Sequence, residues 1–218
     1  MWCVPKLDDE YIDRMEDVLD TLAKPLNPEE PVVALDERPV QLHGSARPEV
    51  PMAPGRPRRR DYEYVRRGTA NVFCIVEPKA GRHLTHATTN RKAPRFAAAM
   101  KRIADAYPNT RTIHIIMDNL STHREKSLTD RWGFAQGREL WSRFTIHYTP
   151  KHGSWLNPAE IEASMWSREC LGRDRFPELD QLQARTRSWN QLTDRSRRTI
   201  RWHFTTEKAR RVFRYRRR

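Results

Sequence analysis

Apolar side chains recur along this chain in two rhythms. Leu7, Tyr11, Met15, Val18, Leu19 and Leu22 come at three- and four-residue steps with charged residues between them, which predicts an amphipathic helix over 7–23. Pro25, Pro28 and Pro31 stop it. The run Val32-Val33-Ala34-Leu35 then leads straight into Asp36-Glu37, and Val40-Gln41-Leu42 resumes the extended pattern. A strand buried on both faces, with an acid at its end, is the expected result. A proline-rich stretch over 44–61 reads as a loop. Two further strands are expected over 62–77 and 82–89, pairing antiparallel with the first.

Downstream the rhythm alternates. Phe96, Met100, Ile103 and Tyr107 share one face of a helix expected over 94–107, and Thr112 to Met117 forms a second buried strand that again runs into an acid, Asp118. A short helix from about Ser121, a strand over 144–148, a helix from Pro158 to about Leu171, and another marked by Leu179, Leu182, Trp189 and Leu192 complete the series. Such alternation predicts a mixed sheet with helices on its faces. Its active crevice belongs beyond the carboxyl ends of the strands, where Asp36 and Asp118 fall.

Charge narrows the class of partner. The 218 residues carry 41 Lys and Arg against 28 Asp and Glu, a formal +13, and a surface this basic attracts polyanions, nucleic acid foremost. Cys3, Cys74 and Cys170 fit neither a disulfide framework nor a zinc spacing, so a reducing cytoplasm is expected. No stretch reaches the roughly 18 apolar residues of a membrane span, and no membrane partner is expected.

The acids each have two readings. Asp118 could cap the next helix, but Ser121 can do that alone, and an acid ending so apolar a strand needs a cation or an arginine beside it. Asp36 poses the same choice. Because side chains alternate along a strand, Glu37 points away from Asp36 and is expected to bond Arg38 or solvent. Asn157, Pro158 and Glu160 suit the cap, first and third positions of a helix, so on the residues alone a capping box outweighs a catalytic role for Glu160. Glu162 lies roughly 200° further round that helix, and only one of the two can face a site. Three converging carboxylates would repel one another unless cations lay among them, the hard-oxygen arrangement of Mg²⁺ or Mn²⁺ in phosphodiester chemistry.

The segment Thr149-Pro-Lys-His-Gly-Ser-Trp-Leu-Asn-Pro-Ala-Glu-Ile-Glu162 resembles the third catalytic block of bacterial insertion-sequence transposases of the mariner superfamily. Residues 33–37 resemble their first block, 115–123 their second, and the segment 56–64 is similar too. The likeness runs from about Arg14 into the C-terminal region. It implies an α/β, ribonuclease-H-like fold: a mixed sheet of three antiparallel strands plus two parallel ones, flanked by helices. It implies a catalytic and metal-holding triad of Asp36, Asp118 and Glu160, a two-metal site for Mg²⁺ or Mn²⁺, and cleavage at element ends followed by joining to target DNA. A homodimer in the active complex and a bacterial, nucleoid-associated location are implied as well. Members of that group carry helix-turn-helix modules ahead of the catalytic domain, whereas here only the helix over 7–23 precedes the first strand.

The expected organisation is therefore an N-terminal helix and linker over 1–28, a catalytic domain over 29–194 and a basic tail over 195–218. That tail holds one acid, Glu207, among its arginines, and reads as a free arm or a short helix lying on DNA. Arg56, Arg58, Arg59, Arg60, Lys151 and His152 are candidate DNA contacts. Asn119 and His123 are auxiliary candidates, for holding water, touching phosphate or shaping the turn. Trp155 reads as a core anchor rather than a platform for an unpaired base. Two rivals share the residues: a nuclease of the same fold without joining activity, and a non-catalytic DNA-binding remnant.

Overall fold

The computed structural model describes residues 7–215. Helix α1 (Asp9–Ala23) begins where the Asp8 carboxylate accepts the Tyr11 N–H at 2.9 Å, and it buries Tyr11, Met15, Val18, Leu19 and Leu22. Strand β1 (Val32–Ser45) pairs antiparallel with β2 (Tyr64–Glu77) along most of its length. Strands β3 (Arg82–His83) and β4 (His86–Thr88) extend the sheet beyond β2. The third antiparallel strand expected over 82–89 is thus broken in two, because the Thr85 side chain enters the ladder: its hydroxyl oxygen accepts the Ile75 N–H at 3.1 Å. After α2 (Ala93–Ala106), β5 (Ile113–Met117) lies parallel to β1, and β6 (Phe144–Tyr148) parallel to β5. The order β3-β2-β1-β5-β6 gives the expected mixed sheet.

Between β5 and β6 the chain makes two helices, α3 (Glu125–Trp132) and α4 (Phe134–Ser142), not one short helix from Ser121. Gly133, at φ +85°, turns the chain between them. A Cβ on Gly137 would lie 2.5 Å from the Thr129 backbone, so this glycine lets the two helices touch. Ser121 caps neither helix; residues 118–124 form a turn in which the His123 N–H donates to the Leu120 carbonyl.

Both faces of the sheet are covered. Val33, Leu35, Phe73, Ile75, Ile113 and Ile115 pack under α2 and α3. On the opposite face Ala34, Val40, Val72 and Cys74 pack under α5 (Ala159–Trp166) and α6 (Leu179–Arg195), with Trp166 fully buried. A π-helical turn, Ser167–Leu171, extends α5 to the expected end. Cys74 and Cys170 are buried free thiols, and Cys3 lies outside the described residues. Among those residues no helix is long and apolar enough to cross a membrane.

Helix α1 is fastened from two sides. Lys24 Nζ can only donate, so His114 Nε2, 3.2 Å away, accepts. It follows that His114 Nδ1 donates to His147 Nε2 at 2.8 Å and His147 Nδ1 donates to Asp17 at 2.8 Å. On its outer side lies α7 (Thr206–Phe213) from the basic C-terminal segment. Arg210 donates twice to Glu16, at 2.8 and 2.9 Å, the Tyr215 hydroxyl donates to the same carboxylate, and Thr206 donates to Asp20 at 2.6 Å. Up to Tyr215 the segment is therefore a strap on α1 rather than a free arm. Residues 216–218 lie outside the described residues. Trp155 meets Phe204 edge-on beneath this strap at 5.3 Å, the anchoring role expected of it.

His86 makes the fold acid-sensitive. Burial and, after it, Arg102 push this imidazole down to about 4, and its ring stacks on Phe73. The unfolded chain, with histidine near 6.5, then binds more protons than the folded one between those values, so stability is lost as pH falls from about 6.5 to about 4. For a ring that keeps some exposure, roughly 1–2 kcal/mol is expected. Urea midpoints at pH 7 and pH 4.5 measure it, and His86→Phe should shrink the difference.

Candidate active site

The last residues of β1 and β5 in parallel register are Ala34 and Ile116. Asp36 and Asp118 each come two residues later, so the backbone brings both acids to the same end of neighbouring strands, and there the Asp118 carboxylate turns to His123, whose Nδ1 lies 2.6 Å from Oδ1. Asp36 does not end its strand, as expected from the sequence; β1 continues to Ser45 against β2. What ends there is the partner: β5 stops at Met117, which leaves Asp36 at the lip of the sheet on that side.

Glu160 arrives from the first turn of α5, whose Ala159 and Ala163 pack on β1. Asn157, itself buried, sets the join: its amide donates to the Leu35 carbonyl at 2.8 Å and its side-chain oxygen accepts the Ala159 N–H at 3.1 Å. The helix start is thereby fixed one residue from Asp36. The expected capping box does not form, because the Asn157 N–H donates to the Ser154 carbonyl at 2.8 Å, so the box's return bond to Glu160 has no donor. Glu162 faces the other way, into a buried cluster where it takes bonds from His83 and Thr85.

The electrostatics report the same convergence. Asp36 is pushed up to about 7, first by burial and then by the negative charge of Glu160, with Glu37 and Asp118 adding to it and the Glu37 N–H opposing. One Asp118 oxygen, Oδ1, is buried against His123, 2.6 Å from its Nδ1. Carboxylates that repel one another in this way, with Asp36 most affected, are a hard-oxygen donor set that a divalent cation fits.

Glu37 departs from expectation. Its side chain is 1% exposed and bonds neither Arg38 nor solvent; His123 donates to it from Nε2 at 2.8 Å. The signal was present in the alternation, since Val33 and Leu35 face the α2 side and Glu37 follows in phase. His123 is equally buried, so it cannot reach a phosphate. Burial alone would depress its imidazole, but Asp118 and Glu37 raise it to about 10. His123, Glu37 and Asp118 are also the one group of side chains among the described residues whose spacing fits a cation directly; the expected set of Asp36, Asp118 and Glu160 is not drawn together to that spacing.

The remaining candidates divide by position. Lys151 and His152 line a cleft of about 740 Å³ together with Asp118 and Asn119, and the far wall comes from α1 through Tyr11 and Arg14, which the sequence did not single out. His152 sits at φ +62°, strained for a non-glycine residue, and holds this loop in a tight turn. Asn119 is exposed and accepts weakly from Arg124 at 3.4 Å. Arg56, Arg58, Arg59 and Arg60 do not join the site. They belong to the loop that joins β1 to β2, where Arg58 is engaged by Glu49 and Asp174 and Arg60 lines a separate hollow with Arg38 and Arg175.

A mixed sheet with acids on two neighbouring strands, crossed by a helix bringing a third, defines a ribonuclease-H-like protein. The chain belongs to the DDE superfamily endonuclease family, whose sequence profile matches residues 31–183. Among solved structures it is similar to the Mos1 mariner paired-end complex with Mn (TM-score 0.54, 14% identity, covering 95% of this chain and 63% of that one). The Mos1 strand transfer complex is similar to the same degree (TM-score 0.53, 16% identity, 94% and 61%). So is the paired-end complex with Mg (TM-score 0.53, 13% identity, 95% and 63%). At such identities the likeness is one of fold, and the chain spans under two thirds of the length of the solved chains it matches. No curated protein sequence matches it.

Proposed function

We propose that this chain is the catalytic domain of a DNA transposase, which hydrolyses phosphodiesters at the ends of a mobile element and joins the freed 3′-ends to target DNA. What supports this reading is the position of Asp36 and Asp118 just beyond the paired ends of two adjacent parallel strands, with Asn157 tying the start of α5, which carries Glu160, to the backbone beside Asp36. Membership of the endonuclease family supports the hydrolytic half. Likeness to a transposase solved as paired-end and strand transfer complexes supports the joining half, and the Mn and Mg complexes of that protein support a divalent cation here.

Asp36, Asp118 and Glu160 would hold the cations. Bound there, divalent cations supply activation of water or a 3′-hydroxyl and stabilisation of the leaving oxygen. Lys151 and Arg14, on either side of the cleft beside Asp118, would take the flanking phosphates as positive charges. The arginines of the β1–β2 loop would grip DNA outside the cleft, and the proposed active form is a homodimer bound to element ends and target.

The deciding experiment supplies pre-cut element ends, target DNA and Mg²⁺ and looks for joined product. Joined product is expected. Cleavage without joining would leave a nuclease of the same fold, and neither activity would leave a DNA-binding remnant. Binding should also be strongly salt-dependent, with affinity for duplex DNA falling at least ~10-fold between 50 and 200 mM salt. Replacing Arg59 and Arg60 by Ala should lower the slope of log affinity against log salt by about 0.9 for each phosphate no longer neutralised. A slope unchanged by both substitutions would remove the β1–β2 loop from the DNA interface.

A further inference from the structure

The Asp36-Glu37 dipeptide places consecutive acids on opposite faces of β1, and only the first faces Glu160. The second is buried against His123, whose surroundings fix it on every side. Nε2 donates to Glu37 at 2.8 Å, and Nδ1 lies 3.0 Å from the Asp118 carbonyl and 2.6 Å from Asp118 Oδ1. Both ring nitrogens thus meet only oxygen acceptors, so both carry hydrogen. Phe96 from α2 stacks on the ring at 4.5 Å, and the Tyr148 hydroxyl donates to the His123 carbonyl at 2.7 Å. A ring so enclosed has no path to the cleft.

We infer that Glu37 and His123 form a brace behind Asp118: they are positioning residues that hold its carboxylate in the orientation a cation requires, and so set the affinity of the site for that cation. The reason is geometric. Asp118 follows the last residue of β5 and has no further strand pairing to fix it, and its side chain is 38% exposed. A cation gripped by a carboxylate free to rotate is held loosely, and fixing such a ligand from behind is worth about 10–100-fold in metal affinity. The proximity of all three side chains also allows the contrary arrangement, in which Glu37 and His123 are ligands themselves. It is disfavoured because both His123 ring nitrogens are spent, one on Glu37 and one on Asp118, and the Glu37 and His123 side chains are 1% exposed.

This inference rests on the reading of Asp118 as a cation ligand, and one set of calorimetric Mn²⁺ titrations on the full chain separates the two. Glu37→Ala and His123→Ala should each weaken Mn²⁺ binding about 10–100-fold, with the double variant no weaker than either single one, because the pair acts as a unit. Glu37→Gln, which keeps an acceptor for Nε2 and the shape of the side chain, should recover part of the loss; it also serves if the alanine variants fail to fold. In a nicking assay the Mg²⁺ concentration for half-maximal rate should rise by the same factor, while the rate at saturating Mg²⁺ returns towards wild type. Wild-type affinity in all three variants, with binding lost in Asp118→Asn, would overturn the brace and leave the active-site reading standing. Unchanged binding in Asp118→Asn would overturn that reading itself. Full binding in Asp36→Asn with none in Glu37→Ala would make Glu37 a ligand and overturn the brace.

Discussion

Asp36→Asn should leave the protein folded, raise the melting temperature of the cation-free form, and cut metal-dependent nicking of element-end DNA by at least ~10³-fold. The two effects have one cause. Burial, and then Glu160, Glu37 and Asp118, make a charge at Asp36 unfavourable, enough to lift its carboxyl to about 7. An amide removes that repulsion, which is worth roughly 1–2 kcal/mol near neutral pH and about 2–6 °C for a chain of this size. The same change removes an anionic oxygen from the proposed cation shell. Mn²⁺ should accordingly raise the melting temperature of the wild type, because it binds the folded state alone, and leave that of the variant unmoved. Glu160→Gln should lose activity equally but gain less stability, since its side chain is more open to solvent, whereas Asp118→Asn should lose both activity and stability, because it removes the charge that faces the His123 ring. A variant at Asp36 that melts lower, or nicks at the wild-type rate, would contradict this.

Glu162→Ala should be the opposite kind of change, costing about 3–5 kcal/mol, whereas Glu160→Gln stays within about 0.5 kcal/mol of wild type. The two acids are two residues apart on α5, yet Glu162 is fully buried. His83 Nδ1 meets it at 2.8 Å and the Thr85 hydroxyl donates to it at 2.7 Å, while Thr85 in turn accepts from the β2 backbone. Burial works against a charge on His83, but Glu162 more than offsets this and raises the imidazole above its ordinary value. Removing the carboxylate strands a buried histidine and a buried hydroxyl together, the case in which loss of one partner is most damaging. Thermal melts of the two variants side by side measure it. Equal destabilisation, or none at Glu162, would mean that the facing of α5 is misassigned.

Which parts of this were legible in the sequence follows from how local their causes are. Two apolar runs each ending in an acid announced β1 and β5, which run parallel with Asp36 and Asp118 each two residues beyond the last paired positions. Alternation correctly put Asp36 and Glu37 on opposite faces. The destination of Glu37 was misread because its partner, His123, lies 86 residues away and reaches it only through the tertiary fold. Asn157, whose sequence suggested a helix cap, does accept the Ala159 N–H, but its second bond, from the amide to β1 across 122 residues, depends on the tertiary fold in the same way. The break between β3 and β4 depends on one threonine hydroxyl entering the ladder, which no periodicity encodes. In the C-terminal segment the density of arginine concealed Thr206, Ala209 and Phe213, the residues by which it packs as a strap.

Diffraction from crystals grown with Mn²⁺, recorded at the manganese absorption edge, tests most directly whether the three acids share a cation. The account predicts an anomalous peak bounded by carboxylate oxygens of Asp36 and Asp118, with Glu160 facing it or a second peak beside it. Manganese seated instead between Glu37 and His123, or bound nowhere near residues 36, 118 and 160, would contradict it.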